Sequence, residues 1–329
     1  MKLYYKNYNR ILTKTLKQKA LVLTLHRVGH KDLKLLDPNE NMKVSPSFLE
    51  SFIVDCKSRG FKFISLEQLI YEVEHEMDIV PSIVITLDDG YQDNYSNAFP
   101  IFQKHRIPFT IFISTSFMED SSSPWWFKVE HILVNVDSIR FNGSSYDVSD
   151  RSKKNSLFLA IRAHMLNNGD EELSQEMQNQ FKLVSIKNPY ENKIFMTWDQ
   201  VRTMNKSQLL TIGNHTHGHV NLSKISSHQI KKQINQARQI IQRETQFIAE
   251  YLCYPYGLYN DRVVNSIQDL ELSACVATTY GLVSANSVNE LSFIPRYNLN
   301  DGDKIQSIAV NLTRILVVKK IKKYICHLR

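Results

Sequence analysis

The sequence is poor in glycine, proline and cysteine, and it has no long apolar run. Ten glycines and nine prolines in 329 residues exclude a collagen-like or low-complexity chain. Because no run of about 18 apolar residues is present, a membrane-spanning helix is not expected. Residues 1–26 are basic but lack the apolar stretch and the small-residue cleavage site of a secretory signal peptide.

The four cysteines are too far apart to form a site of their own. They lie at Cys56, Cys253, Cys275 and Cys326, and no two of them form a CxxC pair. This spacing argues against a cysteine-rich zinc site and against a disulfide framework. We therefore expect a reducing, cytoplasmic location.

The chain has the composition of a globular protein, and its C-terminal end is basic. Hydrophobic residues make up 43% and charged residues 22%, which is enough apolar material for a sizeable core. The net charge is +7, and part of the excess lies in a basic amphipathic tail at about residues 305–329. We interpret the tail as a helix that packs on the domain, or as a peripheral contact with anionic lipid at the inner membrane face. No basic stripe with interleaved aromatics accompanies it, so a nucleic-acid partner is not expected.

Short apolar runs alternate with amphipathic stretches along most of the chain. Strands are predicted at residues 20–25, 61–64, 82–87, 109–114, 209–212, 249–254 and 273–277, and helices at 47–59, 66–75, 93–105, 197–204, 226–245 and 261–270. Strands that alternate with helices form a parallel α/β sheet, either open or closed into a barrel. The alternation breaks at about residues 119–189, and we interpret this polar, irregular segment as an insertion into one domain spanning 1–329.

Reactive side chains follow the predicted strands at the point where each strand ends. Parallel sheets place their sites at the carboxyl ends of their strands. The residues in these positions are His26, Asp88, Asp89, His215, Tyr256 and Arg296. Residues scattered over a surface would not coincide with strand ends so often.

Asp88 and Asp89 end a strongly apolar predicted strand. Two adjacent carboxylates in that position are costly unless they are paired or bound to a cation. Successive residues point in different directions, so one carboxylate can bind a metal while the other acts as a base. The alternative is a turn without chemistry, because Asp-Asp-Gly is also favourable in turns.

Residues 215–219 (HTHGH) place three histidines in five positions. His215 and His219 are four residues apart and would share one face of a helical turn, which suits two imidazoles on one metal. His215 and His217 would share a face only in an extended segment. Two histidines and one carboxylate leave coordination positions open for water and substrate, which is typical of catalytic sites. The alternative is a solvated polar loop.

These motifs resemble those of the polysaccharide deacetylases, the NodB-type carbohydrate esterases. Residues 86–90 (TLDDG) look like the family's T-F-D-D-G motif, 215–219 like its H-[ST]-x-x-H motif, and 254–257 (YPYG) like its third motif. The resemblance covers about residues 20–300 apart from the insertion, and it implies a distorted (β/α) barrel with parallel strands. Cys253 stands where many members have arginine, and no apolar strand ending in histidine follows late in the chain. Both departures resemble the branch of poly-N-acetylglucosamine deacetylases.

The resemblance implies a role for most residues of the expected site. Asp88 is the general base. A divalent metal, zinc first with cobalt or nickel as alternatives, is bound by Asp89, His215 and His219. The backbone N–H of Tyr256 helps to bind the oxyanion, and His26 protonates the leaving amine unless it is only structural. We also predict that Arg296 pairs with Asp88 and keeps it ionised, the alternative being a surface arginine.

The activity implied is metal-dependent hydrolysis of the amide of an N-acetylated sugar or polysaccharide, which releases acetate and a free amine. One alternative is a deacetylase or deformylase that acts on a lipid-linked or nucleotide-linked sugar during glycan synthesis. Others are a non-catalytic glycan-binding module with the same fold and a hydrolase of small cyclic amides. Trp125 and Trp126 could stack on a sugar ring, although core packing is the commoner use of tryptophan.

Overall fold

The computed structural model describes residues 15–119, 124–168, 175–183 and 194–327. The strands of this part are, in chain order, β1 (Ala20–Leu25), β2 (Arg27–Val28), β3 (Lys43–Val44), β4 (Lys62–Phe63), β5 (Ser82–Asp89), β6 (Phe109–Ile113), β7 (Ser138–Phe141), β8 (Ser144–Asp147), β9 (Leu210–Asn214), β10 (Tyr251–Cys253), β11 (Ala274–Val276) and β12 (Tyr297–Asn298). Eight of them form the central sheet, in the order β11-β10-β9-β6-β5-β1-β12, with β4 beside the start of β5.

Every strand pair in the central sheet is parallel, so all strands carry their carboxyl ends to the same edge. β5 is the centre of the sheet, and all eight of its residues are buried. Its register places Val84 beside Val22 of β1 and Leu87 beside Ile111 of β6. β-Branched and other apolar side chains buried on both faces are typical of a parallel sheet covered by helices.

The two ends of the sheet approach one another through the segment before β12. Ile294 bridges to Val276 of β11, and three residues later Tyr297 pairs with Leu23 of β1. The sheet is therefore a half-barrel whose remaining gap is spanned by a short stretch of chain. This architecture confirms the predicted distorted (β/α) barrel with parallel strands.

Helices cover the sheet, and several of them begin at a side chain that caps the first turn. Their ranges are α1 (Asp37–Glu40), α2 (Pro46–Ser58), α3 (Leu66–Glu74), α4 (Phe99–His105), α5 (Thr115–Glu119), α6 (Trp125–Val134), α7 (Arg151–Asn168), α8 (Gln175–Leu183), α9 (Trp198–Asn205), α10 (Ser227–Thr245), α11 (Asp261–Ile267) and α12 (Ile305–His327). Ser226 and Thr197 each form a capping box with the glutamine three residues later, which satisfies two otherwise free N–H groups. On α10 the predicted apolar face is buried, from Ile230 to Ile241.

The helix predicted over residues 93–105 is interrupted. Residues Asn94–Ala98 form a π-helical turn, and the α-helix begins only at Phe99. Pro100 has no N–H to bond to the carbonyl four residues earlier, and Phe99 bonds instead to the carbonyl of Asn94. The wider turn lies shortly after the Asp-Asp-Gly motif. π-Helical turns are frequently found at functional sites.

The described residues of the insertion form more regular structure than the polar, irregular segment that we expected, in which the sequence indicates only a turn at 142–145 and helix-like stretches around 157–166. The insertion contains α6, the hairpin β7–β8, α7 and α8. Its own apolar core includes Trp126, Phe127, Ile161 and Phe158 and extends to Tyr91, two residues after the end of β5. The apolar residues of the insertion were too widely spaced in a polar sequence to suggest a second core.

The C-terminal tail starts as a helix packed on the domain. Ile305, Ile308 and Leu312 of α12 are buried, whereas Val317 and Val318 are about half exposed. Throughout the described part of the chain, every helix is too short or too polar to cross a bilayer.

Candidate active site

The predicted site residues converge at the carboxyl edge of the sheet. Asp88 and Asp89 are the last two residues of β5, His26 follows β1, and His215 follows β9. Because β1, β5, β6 and β9 are neighbours in a parallel sheet, these side chains emerge side by side.

The backbone turns into the left-handed conformation at the second of the two aspartates. Asp89 has φ 72° and Gly90 has φ 82°, so the chain turns sharply at the end of β5. A non-glycine residue in this region costs roughly 1–2 kcal/mol, and such strain is concentrated at functional sites. As a result the adjacent carboxylates of Asp88 and Asp89 contact different partners.

Asp88 is bound by Arg296. Arg296 donates to both carboxylate oxygens, with Nη1–Oδ1 at 2.7 Å and Nη2–Oδ2 at 2.8 Å, and both side chains are buried. Burial alone raises the pKa of a carboxyl group, but the guanidinium outweighs it and holds the pKa of Asp88 below its ordinary value. Nε2 of His26 lies 3.9 Å from Oδ2 of Asp88, and the His26 side chain is 24% exposed.

Arg296 reaches this position because it lies in the segment that spans the gap in the barrel. Its remaining donors bond to Oγ1 of Thr86, to the carbonyl oxygen of Ala277 and to the sulfur of Cys253. Because every N–H of the planar Arg296 guanidinium has a partner, the group is held in one orientation. The Asp88 carboxylate that it binds is therefore held in one orientation as well. Cys253, which occupies the position where an arginine was expected, thus contacts an arginine from another part of the chain.

Asp89, His215 and His219 form a buried cluster with the composition of a metal site. Their ligand atoms lie within 4.8 Å of one another. Oδ1 of Asp89 is 3.3 Å from Nε2 of His215 and 3.2 Å from Nε2 of His219, yet no hydrogen bond to this buried oxygen is formed in the described residues. An unsatisfied buried carboxylate oxygen facing two imidazole nitrogens is the arrangement expected around a cation.

The tautomer of His215 also fits a metal site. Its Nδ1 lies 2.8 Å from the carbonyl oxygen of Cys253. A carbonyl can only accept, so Nδ1 is the protonated nitrogen, and Nε2 presents its lone pair towards Asp89. Metal-binding histidines are commonly oriented in this way by a carbonyl behind the ring.

A second group of potential ligands, Asp88, His215 and Cys253, is less suitable for a cation. The Arg296 guanidinium already occupies both oxygens of Asp88 and contacts the Cys253 sulfur. A cation at that position would face the guanidinium charge. The first cluster has no such competitor.

The loop that carries the histidines is not helical, contrary to our prediction. Thr216 and His219 have left-handed φ values of 67° and 54°, and these two turns bring His215 and His219 together. His217 turns away, and its Nδ1 lies 2.9 Å from Oγ1 of Thr115. Spacing indicated the same two histidines that the structure brings together, although the predicted helical turn is not what unites them.

The Pro-Tyr-Gly motif follows β10 and places Tyr256 against His219. The ring centroids of Tyr256 and His219 are 4.6 Å apart, and the Tyr256 hydroxyl accepts a hydrogen bond from Nε1 of Trp125. Both Tyr256 and Gly257 have positive φ, at 59° and 69°. A Cβ atom on Gly257 would lie 1.9 Å from Oγ1 of Thr278 and would clash with it. Glycine is therefore required both to avoid this clash and to adopt the positive φ.

All seven predicted site residues line one cavity of about 420 Å³. The insertion supplies part of its wall through Trp125, Trp126, Phe158, Leu159 and Arg162. Cavities of this size are typical of small-molecule and oligomer-unit binding. The structure thus brings together His26, Asp88, Arg296 and Tyr256 with the Asp89, His215 and His219 cluster, while the roles assigned to them stay predictions.

Sequence reasoning missed Asn94. We treated it only as the start of a helix, but it is buried and its Nδ2 donates to the backbone carbonyl of His26 at 2.8 Å. This bond ties the end of β1 to the π-helical turn after Asp88 and Asp89. A single asparagine near a helix start gives no sequence signal for such a contact.

Comparison with known proteins places the geometry in context. The sequence profile described as polysaccharide deacetylase matches residues 78–275, which is more than half of the chain. A poly-beta-1,6-N-acetyl-D-glucosamine N-deacetylase of Staphylococcus aureus strain MRSA252 is 25% identical over 304 residues, covering 86% of this chain and 79% of that protein. The protein of the same name from Staphylococcus epidermidis is 34% identical over 108 residues, covering 30% of this chain and 37% of the relative.

Solved structures share the fold. The deacetylase PplD of Streptococcus pyogenes superposes with a TM-score of 0.58 at 17% identity, covering 89% of this chain and 98% of that one. IcaB from Ammonifex degensii gives a TM-score of 0.58 at 13% identity, covering 89% and 97%. At these sequence identities the similarity shows a shared fold and nothing about activity.

Proposed function

Because this chain belongs to the polysaccharide deacetylase family, we propose that it is a metal-dependent carbohydrate N-deacetylase. The reaction is hydrolysis of the amide of an N-acetylated sugar, and the products are acetate and a free amine. The observation that carries the proposal is the Asp88–Arg296 pair beside the Asp89, His215 and His219 cluster on one cavity wall. This arrangement offers a base and a cation site at the same place.

Asp89, His215 and His219 would hold the cation, and zinc is the first candidate because it favours a mixed set of imidazole and carboxylate ligands. A divalent ion in such a site supplies Lewis-acid chemistry and lowers the pKa of water towards about 7. The three ligands leave room for further coordination, which distinguishes a catalytic site from a closed structural one.

The remaining residues move protons and fix geometry. Asp88 accepts a proton from the attacking water as the water oxygen bonds to the amide carbonyl carbon. Arg296 keeps Asp88 ionised and oriented for this step. The backbone N–H of Tyr256 binds the oxyanion that this attack creates. When the carbon–nitrogen bond then breaks, His26 donates a proton to the departing amine.

We propose an N-acetylated glucosamine polymer as the substrate class. The support is the name of the relatives, which are poly-beta-1,6-N-acetyl-D-glucosamine N-deacetylases, and the alignment over 86% of this chain. The aromatic side of the cavity, formed by Trp125, Trp126 and Tyr256, suits the apolar face of a sugar ring.

The test is acetate release from β-1,6-linked N-acetylglucosamine oligomers. We expect release by the purified protein, its loss after chelation, and its recovery when zinc, cobalt or nickel is added back. Binding of the oligomers without acetate release under any of these conditions would instead favour a glycan-binding module. Release that is insensitive to chelation would contradict the metal site.

We also propose that the protein contacts the membrane surface from the cytoplasmic side through its C-terminal tail. The support is the continuation of α12 beyond the buried Leu312, the exposure of Val317 and Val318, and a sequence that then contains Lys319, Lys320, Lys322 and Lys323. Apolar and basic residues together favour anionic lipid. Sedimentation with anionic and neutral vesicles tests this: binding to neither vesicle, or equal binding by a chain ending at residue 314, would contradict it.

A further inference from the structure

The insertion contributes one face of α7 to the active-site cavity. Phe158, Leu159 and Arg162 line the cavity and are spaced so that they lie on adjoining positions of the helix. Phe158 is buried at 1% exposure, whereas Leu159 is 52% exposed and Arg162 is exposed. Arg162 therefore lies at the rim of the cavity, with its charge accessible to a bound molecule.

The position of α7 is fixed by contacts on its other sides. Leu157 and Ile161 are buried in the core of the insertion. Arg151 and Asn155, in the first turns of the helix, both bond to Asp37 at the start of α1. Arg162 is thus presented by an anchored helix and not by a loop.

Arg162 forms no hydrogen bond or ion pair with another described residue. The carboxylates of the described cavity wall are Asp88 and Asp89, of which the first is bound by Arg296 and the second belongs to the cation cluster. An arginine at the rim of a cavity with no further carboxylate in its described lining is suited to a ligand oxyanion, because its planar fork matches phosphate and carboxylate groups.

We propose that Arg162 determines substrate specificity by binding an anionic group, a phosphate or a carboxylate, carried by the N-acetylated sugar. The inference rests on the proposed deacetylase function and deepens it: within the proposed class of N-acetylated glucosamine substrates, units that carry an anionic group are preferred to unsubstituted ones. The net charge of +7 would add long-range attraction for such a substrate.

The experiment compares three ligands at fixed ionic strength. They are methyl N-acetylglucosaminide, N-acetylglucosamine 1-phosphate and N-acetylmuramic acid, which are neutral, phosphorylated and carboxylated. Acetate release gives kcat/KM for each, and titration calorimetry of the three corresponding free amines gives dissociation constants without turnover. The variants are Arg162→Gln and, as a matched control, Lys153→Gln, because Lys153 is on the same helix, pairs with Asp147 and does not line the cavity.

We expect the wild type to prefer one or both acidic ligands by about tenfold or more, since a hydrogen bond to a charged group is of that strength. R162Q should lose this preference in both assays, and K153Q should keep it. The phosphate and carboxylate arms identify which anion is bound. Equal binding of neutral and acidic ligands by the wild type, or a preference that survives in R162Q, would overturn the inference. Absence of acetate release from all three ligands and also from the β-1,6-linked oligomers would contradict the deacetylase function, and the binding data would still decide the role of Arg162.

Discussion

Arg296 binds both carboxylate oxygens of Asp88, although 208 positions separate the two residues in the sequence. The contact exists because residues 294–298 span the gap between β11 and β1 and carry Arg296 into the barrel. Both groups are buried, so solvent compensates neither charge. Loss of one partner therefore leaves an isolated buried charge, which is far more costly than loss of an exposed pair.

Replacement of Arg296 should lower stability and shift the pH dependence of activity. We expect Arg296→Gln to lose about 3–5 kcal/mol of unfolding free energy at pH 7. The folded-state pKa of Asp88 is below its unfolded value, so the pair stabilises the fold above the unfolded pKa and this contribution is lost as the pH falls. The stability difference should therefore shrink at acidic pH. Burial without the guanidinium raises the pKa of Asp88, and the acid limb of kcat/KM should move to higher pH.

The control for Arg296 is Arg202, an arginine that pairs with Asp199 and Glu244 on the surface. Arg202→Gln should change the unfolding free energy far less than Arg296→Gln and leave the pH profile unchanged, because an exposed ion pair is screened by solvent. Denaturant titration and pH-rate profiles measure both effects. Equal responses of the two variants would show that the buried pair has no special role.

The two adjacent aspartates should respond differently to the same substitution. Asp88→Asn should reduce kcat/KM by about 10²–10⁴-fold, because a general base is lost, while about one cation per chain stays bound. Asp89→Asn should lose the cation. Elemental analysis beside acetate release distinguishes the two. Metal loss in D88N, or retention of full activity, would contradict the division of roles.

The three histidines provide an internal control for the cation site. His215→Ala and His219→Ala should abolish stoichiometric metal binding, because each removes one of three protein ligands. His217→Ala should keep the metal, since His217 contacts Thr115 and lies outside the cluster. Elemental analysis after dialysis against zinc measures the outcome. Metal retained in both H215A and H219A would exclude this ligand set.

The sequence predicts the barrel well because the apolar residues of its longer strands and helices recur with the spacing typical of each. β5 is a continuous β-branched run and α10 has one apolar face, so both were expected. The site residues could also be recognised in the sequence, since each lies beside a strand end or within a compact motif. In contrast, β12 has only two residues, too few for any period to indicate that it closes the sheet and positions Arg296.

Other features depended on contacts between distant parts of the chain. The bond from Asn94 to the His26 carbonyl joins residues 68 positions apart, and neither sequence neighbourhood indicates it. The left-handed conformation of Asp89 and His219 is set by the surrounding fold, because a positive φ is uncommon for any residue other than glycine and no local pattern indicates it. Arg162 reaches the cavity only because the insertion packs over the site, which its polar sequence did not suggest.

Gly257 provides a test of how tightly the Pro-Tyr-Gly turn is built. Gly257→Ala places a Cβ 1.9 Å from Oγ1 of Thr278 at a φ of 69°, whereas Gly143→Ala at a φ of 75° meets no atom within 4 Å. Gly143→Ala should therefore cost only the backbone strain, about 1 kcal/mol. Gly257→Ala should cost at least 1–3 kcal/mol more through overpacking, and it should lower activity because Tyr256 moves against His219. Thermal unfolding and acetate release measure both, and equal losses in the two variants would mean that the contact with Thr278 is easily relieved.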